Sequence, residues 1–186
     1  SYNASSNTSF LTMPGVITAL SYDPLSTKNH LIVALKKRAT SWIDIIDVKD
    51  GKRESLGKTL HVSSVQEWVS IDKSRDGRYI VAQGGAPDYM LVLWKAIDGG
   101  NGNSLKYKVV GQISTSTPER DPVYQCSISP DSKLICVTGN SIFKIYKFDE
   151  GVLKPQQSGL GKREQESYTS HCWLTDRRVV IANDHG

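Results

Sequence analysis

The stretch SPDSKLICVTGN (129–140) runs from a polar turn into an apolar, uncharged strand-like run and ends on Gly-Asn. SRDGRYIVAQGG (74–85) writes nearly the same sequence again, and TDRRVVIAND (175–184) repeats it in worn form. No catalytic residue type recurs with the copies. What recurs is a turn, a buried run and a stop, which is the signature of a repeated structural unit.

Working outward, the chain divides into short apolar runs bounded by Gly, Pro, Asp, Asn and Ser, with no helical stripe and no heptads. The first group holds VITALSY (16–22), HLIVAL (30–35), WIDIIDV (42–48) and KTLHV (58–62). The second holds EWVSID (67–72), YIVAQ (79–83), MLVLWK (90–95) and KYKVVGQI (106–113). The third holds VYQCSIS (123–129), LICVTG (134–139), IFKIYKF (142–148) and VLKPQ (152–156). A fourth begins with YTSHCWL (168–174) and VVIAN (179–183). The turn before each second strand falls near Asn29, Asp76, Asp131 and Asp176, in steps of 47, 55 and 45 residues. The Gly/Asn-rich DGGNGNS (98–104) absorbs the long step.

Four-strand units at roughly 40–45 residues have the period of β-propeller blades. Inner strands of a blade are covered on both faces by neighbouring blades, so they read as continuous apolar runs. LIVAL, YIVAQ, LICVT and VVIAN fit that requirement, whereas Lys144 and Lys147 make the third strand of the third group alternate, as suits a strand nearer the rim. In SRDG and SPDS, an Asp that bonds its own backbone and a Gly or Ser that closes the turn specify a tight hairpin. The expected fold is therefore all-β: a partial propeller of about four blades near 15–62, 65–113, 121–156 and 168–186, after a polar segment 1–14. The fourth group holds two strands, so the reading expects a segment of a longer polypeptide.

Composition narrows the function classes. The chain is 38% hydrophobic and 23% charged, with 23 Lys and Arg against 19 Asp and Glu. Its basic residues are scattered, with no run of five and no interleaved aromatic platform, so nucleic acid is not expected as a partner. The alternative to a merely solvated surface is contact with an acidic one, tubulin included. No apolar run approaches the roughly 20 residues that cross a bilayer, and no membrane partner is expected. Asn3 and Asn7 open glycosylation-type triplets that the Ser/Asn-rich start produces by chance. Cys126, Cys136 and Cys172 are too few and irregular for a disulfide framework, and are read as small buried hydrophobes in a reducing compartment. With His171 they lack zinc-ligand spacing, so neither metal nor cofactor is expected. A sialidase-type Asp-box fails at SRDGRYI, where Arg78 stands in place of the required Gly. GGNGN lacks a P-loop's Lys-Ser/Thr and its helix. His171 and Cys172 are strand neighbours and point to opposite faces, which disfavours a nucleophile–base pair. No catalytic residues are expected.

LVLWK (91–95) resembles the third-strand ending of WD40 repeats, with Trp94 at the tryptophan position and Lys95 where the repeat has Asp. The Gly-His before the first strand is missing from every group, so the Asp-His-Ser-Trp network of regular members is not expected. VQEWVSIDKSRDGRYIVAQGGAPDYMLVLWK (65–95) and DPVYQCSISPDSKLICVTGNSIFKIYKFDEGVLK (121–154) resemble the cilia- and flagella-associated WD-repeat proteins, as does YTSHCWLTDRRVVIANDHG (168–186) and, more loosely, GVITALSYDP (15–24). The resemblance implies a non-enzymatic adaptor of the ciliary axoneme and its cytoskeleton. It also implies partners among axonemal proteins and inner dynein arm subunits on doublet microtubules. The alternative is a cytoplasmic WD-repeat scaffold for another protein assembly. Loops carry recognition when strands are committed to packing. The candidates are Lys36, Lys37 and Arg38 in KKRAT (36–40), Pro87 and Asp88 in GGAPD (84–88), and Arg120 and Asp121 in STSTPERD (114–121).

Overall fold

The computed structural model describes residues 10–22, 29–56, 62, 65–98, 105–116, 122–149, 152–157, 160 and 166–185. Its strands form three four-stranded antiparallel sheets and one two-stranded sheet, each a simple meander in chain order. The first sheet comprises β1 (Val16–Tyr22), β2 (His30–Lys37), β3 (Thr40–Asp47) and β4 (Arg53–Ser55). The second comprises β5 (Trp68–Lys73), β6 (Tyr79–Gly84), β7 (Met90–Asp98) and β8 (Leu105–Ser114). The third comprises β9 (Val123–Ile128), β10 (Leu134–Gly139), β11 (Ile142–Asp149) and β12 (Val152–Gln156). β13 (Tyr168–Thr175) and β14 (Arg178–Asn183) form the fourth.

The core lies between sheets, as blade packing requires. Ile80, Ala82, Val92 and Trp94 turn one face of the second sheet toward Ile32, Ile43 and Ile45 of the first. The intervening Val81, Leu91 and Leu93 turn the other face toward Cys126, Ile135, Val137 and Tyr146 of the third. Successive strand residues point to opposite faces. A strand buried on both sides therefore has no position left for a polar alternation, and β6 and β10 are buried at five of six residues each. Trp94 and Val137 are fully buried between blades, and Trp94 packs edge-on against Trp68 with ring centroids 5.8 Å apart.

The repeated turn is built the same way twice. The Ser74 hydroxyl donates to Asp76 at 2.6 Å and accepts the Tyr79 amide at 2.9 Å, while Asp76 accepts the Arg78 amide at 3.0 Å. Fifty-five residues on, Ser129 donates to Asp131 at 2.7 Å and accepts the Leu134 amide at 2.9 Å. Asp131 accepts the Lys133 amide at 3.2 Å. Gly77 takes φ +70° in the first turn and Ser132 takes φ +58° in the second. The worn copy keeps only a weaker version, with the Arg177 amide 3.3 Å from the Thr175 hydroxyl.

Three expectations are corrected. The fourth strand of the first sheet is Arg53–Ser55, not 58–62; 57–61 lie outside the described residues. Its cause is the tight turn around Asp50-Gly51, where Gly51 has φ +70° and the Lys49 and Lys52 amides donate to Asp47 and Asp50 at 2.8 and 2.9 Å. That turn returns the chain at once, and the Ser55 hydroxyl anchors to Asp44 at 2.5 Å. Next, β14 is not buried on both faces but alternates between exposed and half-buried, because no described strand covers its second side. Finally, Cys172 is exposed, although Cys126 and Cys136 are buried as expected.

Candidate functional site

Antiparallel meanders send every second-to-third connection and every fourth-to-first connection to the same end of the stack. The candidate loops therefore converge on one face. The β2–β3 turn carries Lys37 and Arg38, both exposed, with Arg38 at φ +56°, a left-handed conformation unusual for a side chain of this size. Lys36 closes an ion pair with Glu67 at the entrance to β5, directly tying this turn to the next blade. Together with Met13, Pro14, Gly15 and Val16 the three basic residues line a cleft of about 420 Å³. Among the described residues Lys37 and Arg38 have no carboxylate partner.

Pro87 and Asp88 sit exposed in the β6–β7 turn, where the Ala86–Pro87 peptide is cis. The turn is held from the neighbouring connection: the Ser114 hydroxyl donates to the Asp88 carbonyl at 2.9 Å, and the Thr115 amide and hydroxyl both donate to the Tyr89 carbonyl at 2.9 Å. Lys144 of β11 donates to the Thr115 carbonyl at 2.7 Å, and its burial lowers the ammonium's pKa. Arg120 and Asp121 lie outside the described residues, but Pro122 beside them belongs to the same end, its carbonyl accepting the Asn140 amide at 2.9 Å. Gly139 is required there: a Cβ would stand 2.4 Å from the Pro122 carbonyl oxygen. Gly84 has the equivalent place one blade earlier, 2.9 Å from a Val65 methyl.

The opposite property, polarity directed inward, marks the first strand of each sheet. Ser21 of β1 donates to Asp72 of β5 at 3.3 Å, and Asp72 accepts the Ile128 amide of β9 at 2.8 Å. Ser70 accepts the Cys126 amide at 3.0 Å. One blade on, Gln125 clasps the His171 backbone twice, at 2.8 and 3.1 Å. The His171 ring completes a network the sequence did not announce. Its Nε2 lies 2.6 Å from Ser127 Oγ and its Nδ1 lies 2.8 Å from Thr138 Oγ1, while Trp173 Nε1 donates to Ser127 Oγ at 2.9 Å. The neutral ring donates to one of these hydroxyls and accepts from the other, while Ser127 also accepts from Trp173. Burial pushes the imidazole down to about 4, keeping it neutral. The Ser-His-Trp chemistry thus exists, but between the first strands of adjacent sheets; only the residue types were visible beforehand, not their meeting.

These first strands border a groove of about 780 Å³. Ser21, Ser70, Gln125, Ser127 and His171 along it are engaged in hydrogen bonds across blades, and the Cys126 thiol is pushed up to about 12 by burial. The groove therefore reads as inter-blade joinery. The described residues contain no cluster of three metal-ligating side chains.

No family model matches the chain. Among curated proteins, 123 residues are 34% identical to cilia- and flagella-associated protein 57 of Mus musculus, covering 66% of this chain and 9% of that protein. The chain is similar to cilia- and flagella-associated protein 57. The C form of that protein in Tetrahymena thermophila is 29% identical over 143 residues, which are 73% of this chain and 10% of the relative. The chain thus spans about a tenth of the curated relatives it matches. Among solved structures, the β-propeller domain of Myceliophteria thermophila Cps50 (Swd1) aligns over 92% of this chain and 50% of its own, at TM-score 0.62 and 15% identity. The RRP9 WD40 repeats align over 93% and 46%, at TM-score 0.61 and 16% identity. The fold is a WD40-like β-propeller, and the resemblance to the ciliary and flagellar WD-repeat proteins holds.

Proposed function

We propose that the chain is a bladed part of a non-enzymatic scaffold in the ciliary axoneme, helping to dock or organise inner dynein arms on doublet microtubules. The observation that carries this reading is the 34% identity to a cilia- and flagella-associated protein over 123 residues, 66% of the chain. Chemistry supports the absence of catalysis. The strands are spent on packing, the one buried histidine among the described residues is engaged by Ser127 and Thr138, and the buried thiols are held protonated.

Docking is assigned to the end face that bears Lys36, Lys37, Arg38, Pro87 and Asp88, with Arg120 and Asp121 in the adjoining connection. Loops there are braced by neighbouring blades but leave charged tips exposed, as recognition loops on a rigid scaffold do. The test is charge reversal in the intact protein, with Lys37 and Arg38 changed to Glu and, separately, Arg120 and Asp121 exchanged in sign. At least one set is expected to reduce incorporation into axonemes, or retention of inner dynein arms, without altering the melting temperature. Normal assembly and motility with both sets changed would overturn this placement. A tagged protein found diffusely in the cytoplasm would overturn the ciliary reading itself.

A further inference from the structure

We infer that the outer edge of β8 is a strand-addition site, which takes an extended acidic segment of a partner protein as a fifth strand of the second sheet. β8 is outermost in its sheet, as β4 and β12 are in theirs. The ladder fixes which of its main-chain groups face outward. The Thr115 amide donates to the Tyr89 carbonyl at 2.9 Å. Ile113, two residues back and opposite Leu91, therefore bonds to β7, and the alternate Gln112 and Ser114 face away. At the other end, the Ala96 amide donates to the Arg78 carbonyl at 2.7 Å, on the β6 side. Tyr107, opposite Ala96, therefore faces away from β7, and so does Val109. The register shift between Leu93 and Trp94 accounts for the change of phase, with Val110 as the extra residue. Tyr107, Val109, Gln112 and Ser114 thus present their amides and carbonyls outward, and no described strand pairs with them.

The neighbouring sheets close the same edge, each by a different device. β4 is three residues long, against ten for β8. β12 has five residues, and Pro155 stands opposite Tyr146. The Phe148 amide donates to the Lys133 carbonyl at 3.3 Å, so Leu153 opposite Phe148 faces outward, and Pro155 does too. Tyr146 and Trp94 are equivalent buried residues of consecutive repeats. Pro155 therefore removes an outward donor at the place that Val109 holds one repeat earlier. The Gln156 side-chain amide also donates to the Pro155 carbonyl at 3.2 Å, which occupies the outward acceptor. β8 is neither short nor interrupted by proline.

Charge selects the occupant. Lys106 and Lys108 are exposed, flank outward-facing Tyr107, and share the face that carries Lys95. Such lysines discourage pairing with another cationic edge, whereas a strand with Asp or Glu on that face gains cross-strand attraction. Exposed Asp149 follows Phe148, whose ring packs on Tyr79 beside Lys95, and it offsets part of this charge. The lysines therefore set register, and main-chain bonds supply the adhesion. A second copy of the chain, with its own net charge of +4, is disfavoured. This edge is separate from the end face above, and its test is independent of the ciliary reading.

The experiment uses the intact protein and a capped fluorescent peptide of alternating Glu and Val, matched in length to β8 and followed by anisotropy. It should bind, and a peptide of alternating Lys and Val should bind roughly fivefold or more weakly. Equal binding of the two would end the acidic assignment. N-methylation of every Glu amide, or separately of every Val amide, removes the donors along one edge of the peptide strand. Only one edge meets β8, so one methylated peptide should lose binding and the other keep it. Retention by both, or loss by both, would overturn strand addition, and this readout needs no variant to fold. Gln112→Pro removes an outward donor without touching the ladder to β7. It should weaken binding roughly fivefold or more at an unchanged melting temperature, and full binding by that variant would contradict the proposal. Dimerisation of the wild type that Gln112→Pro abolishes would make a second copy the occupant instead. Lys37→Glu with Arg38→Glu should leave peptide binding intact; loss there would move the site to the end face.

Discussion

At the scale of single residues, His171 shows how a polar group survives between blades. The residue is 6% exposed and both ring nitrogens have hydroxyl partners, so the neutral form is satisfied, while burial penalises the charged form. The folded pKa of about 4 lies below the ordinary 6.5. Between those values the unfolded chain binds the proton more readily, so stability is complete above about pH 6.5 and declines as pH falls toward 4. The ceiling is about 3 kcal/mol. Melting temperatures of the intact protein should fall across this window, and His171→Gln should flatten the fall; parallel curves would show that another group governs it. Trp94 makes a simpler claim. It is 1% exposed against Trp68, and truncation to Ala should cost roughly 3–5 kcal/mol by denaturant midpoint. Its burial was legible because an apolar run on an inner strand has nowhere else to point, whereas the His171 network was not. Ser127, Thr138, His171 and Trp173 are up to 46 residues apart, and their meeting depends on how one blade sits on the next.

At the scale of elements, the turns were the most readable feature and also the source of the largest miss. Ser-x-Asp specifies its own hydrogen bonds through nearest neighbours, so two copies 55 residues apart fold alike. Asp50-Gly51 carries an equally local signal, and the short β4 follows from it; the more apolar KTLHV drew attention away because hydrophobicity marks buried strands and β4 is an exposed edge. Comparison of the two copies yields a prediction. Gly77 and Ser132 hold equivalent positive-φ positions, but only the serine bears the left-handed penalty. Ser132→Gly should stabilise by up to about 1 kcal/mol, the relief of strain being partly offset by a freer unfolded chain. Gly77→Ser should destabilise by a similar amount. Gly139→Ala should do far worse than either, since the Pro122 carbonyl stands 2.4 Å from its Cβ and belongs to backbone that cannot rotate away.

At the scale of the whole molecule, blade stacking makes stability a property shared between neighbours. Each inter-sheet core draws on two sheets: Trp94 needs Ile43 and Ile45 across the gap, and Leu93 needs Ile135 and Val137. The period and the doubly apolar strands disclosed this stacking, while the chemistry of the end face stayed illegible because exposed loops satisfy no internal constraint. The same logic identifies the faces that no described residue covers. Val16 and Leu20 on β1 are 70% and 59% exposed, and Leu174 and Val180 in the last sheet are 64% and 47% exposed. Large apolar groups on incompletely covered sheets, together with the open edge of β14, favour association. The 186 residues expressed alone should therefore elute as concentration-dependent oligomers in size exclusion with light scattering, and should melt broadly. Leu174→Lys with Val180→Lys should shift that distribution toward monomer, since both side chains point to solvent and stabilise no core. A monodisperse wild-type monomer with one sharp transition would show that these faces are closed within the chain, and the stacking described for its two outermost sheets would then be wrong.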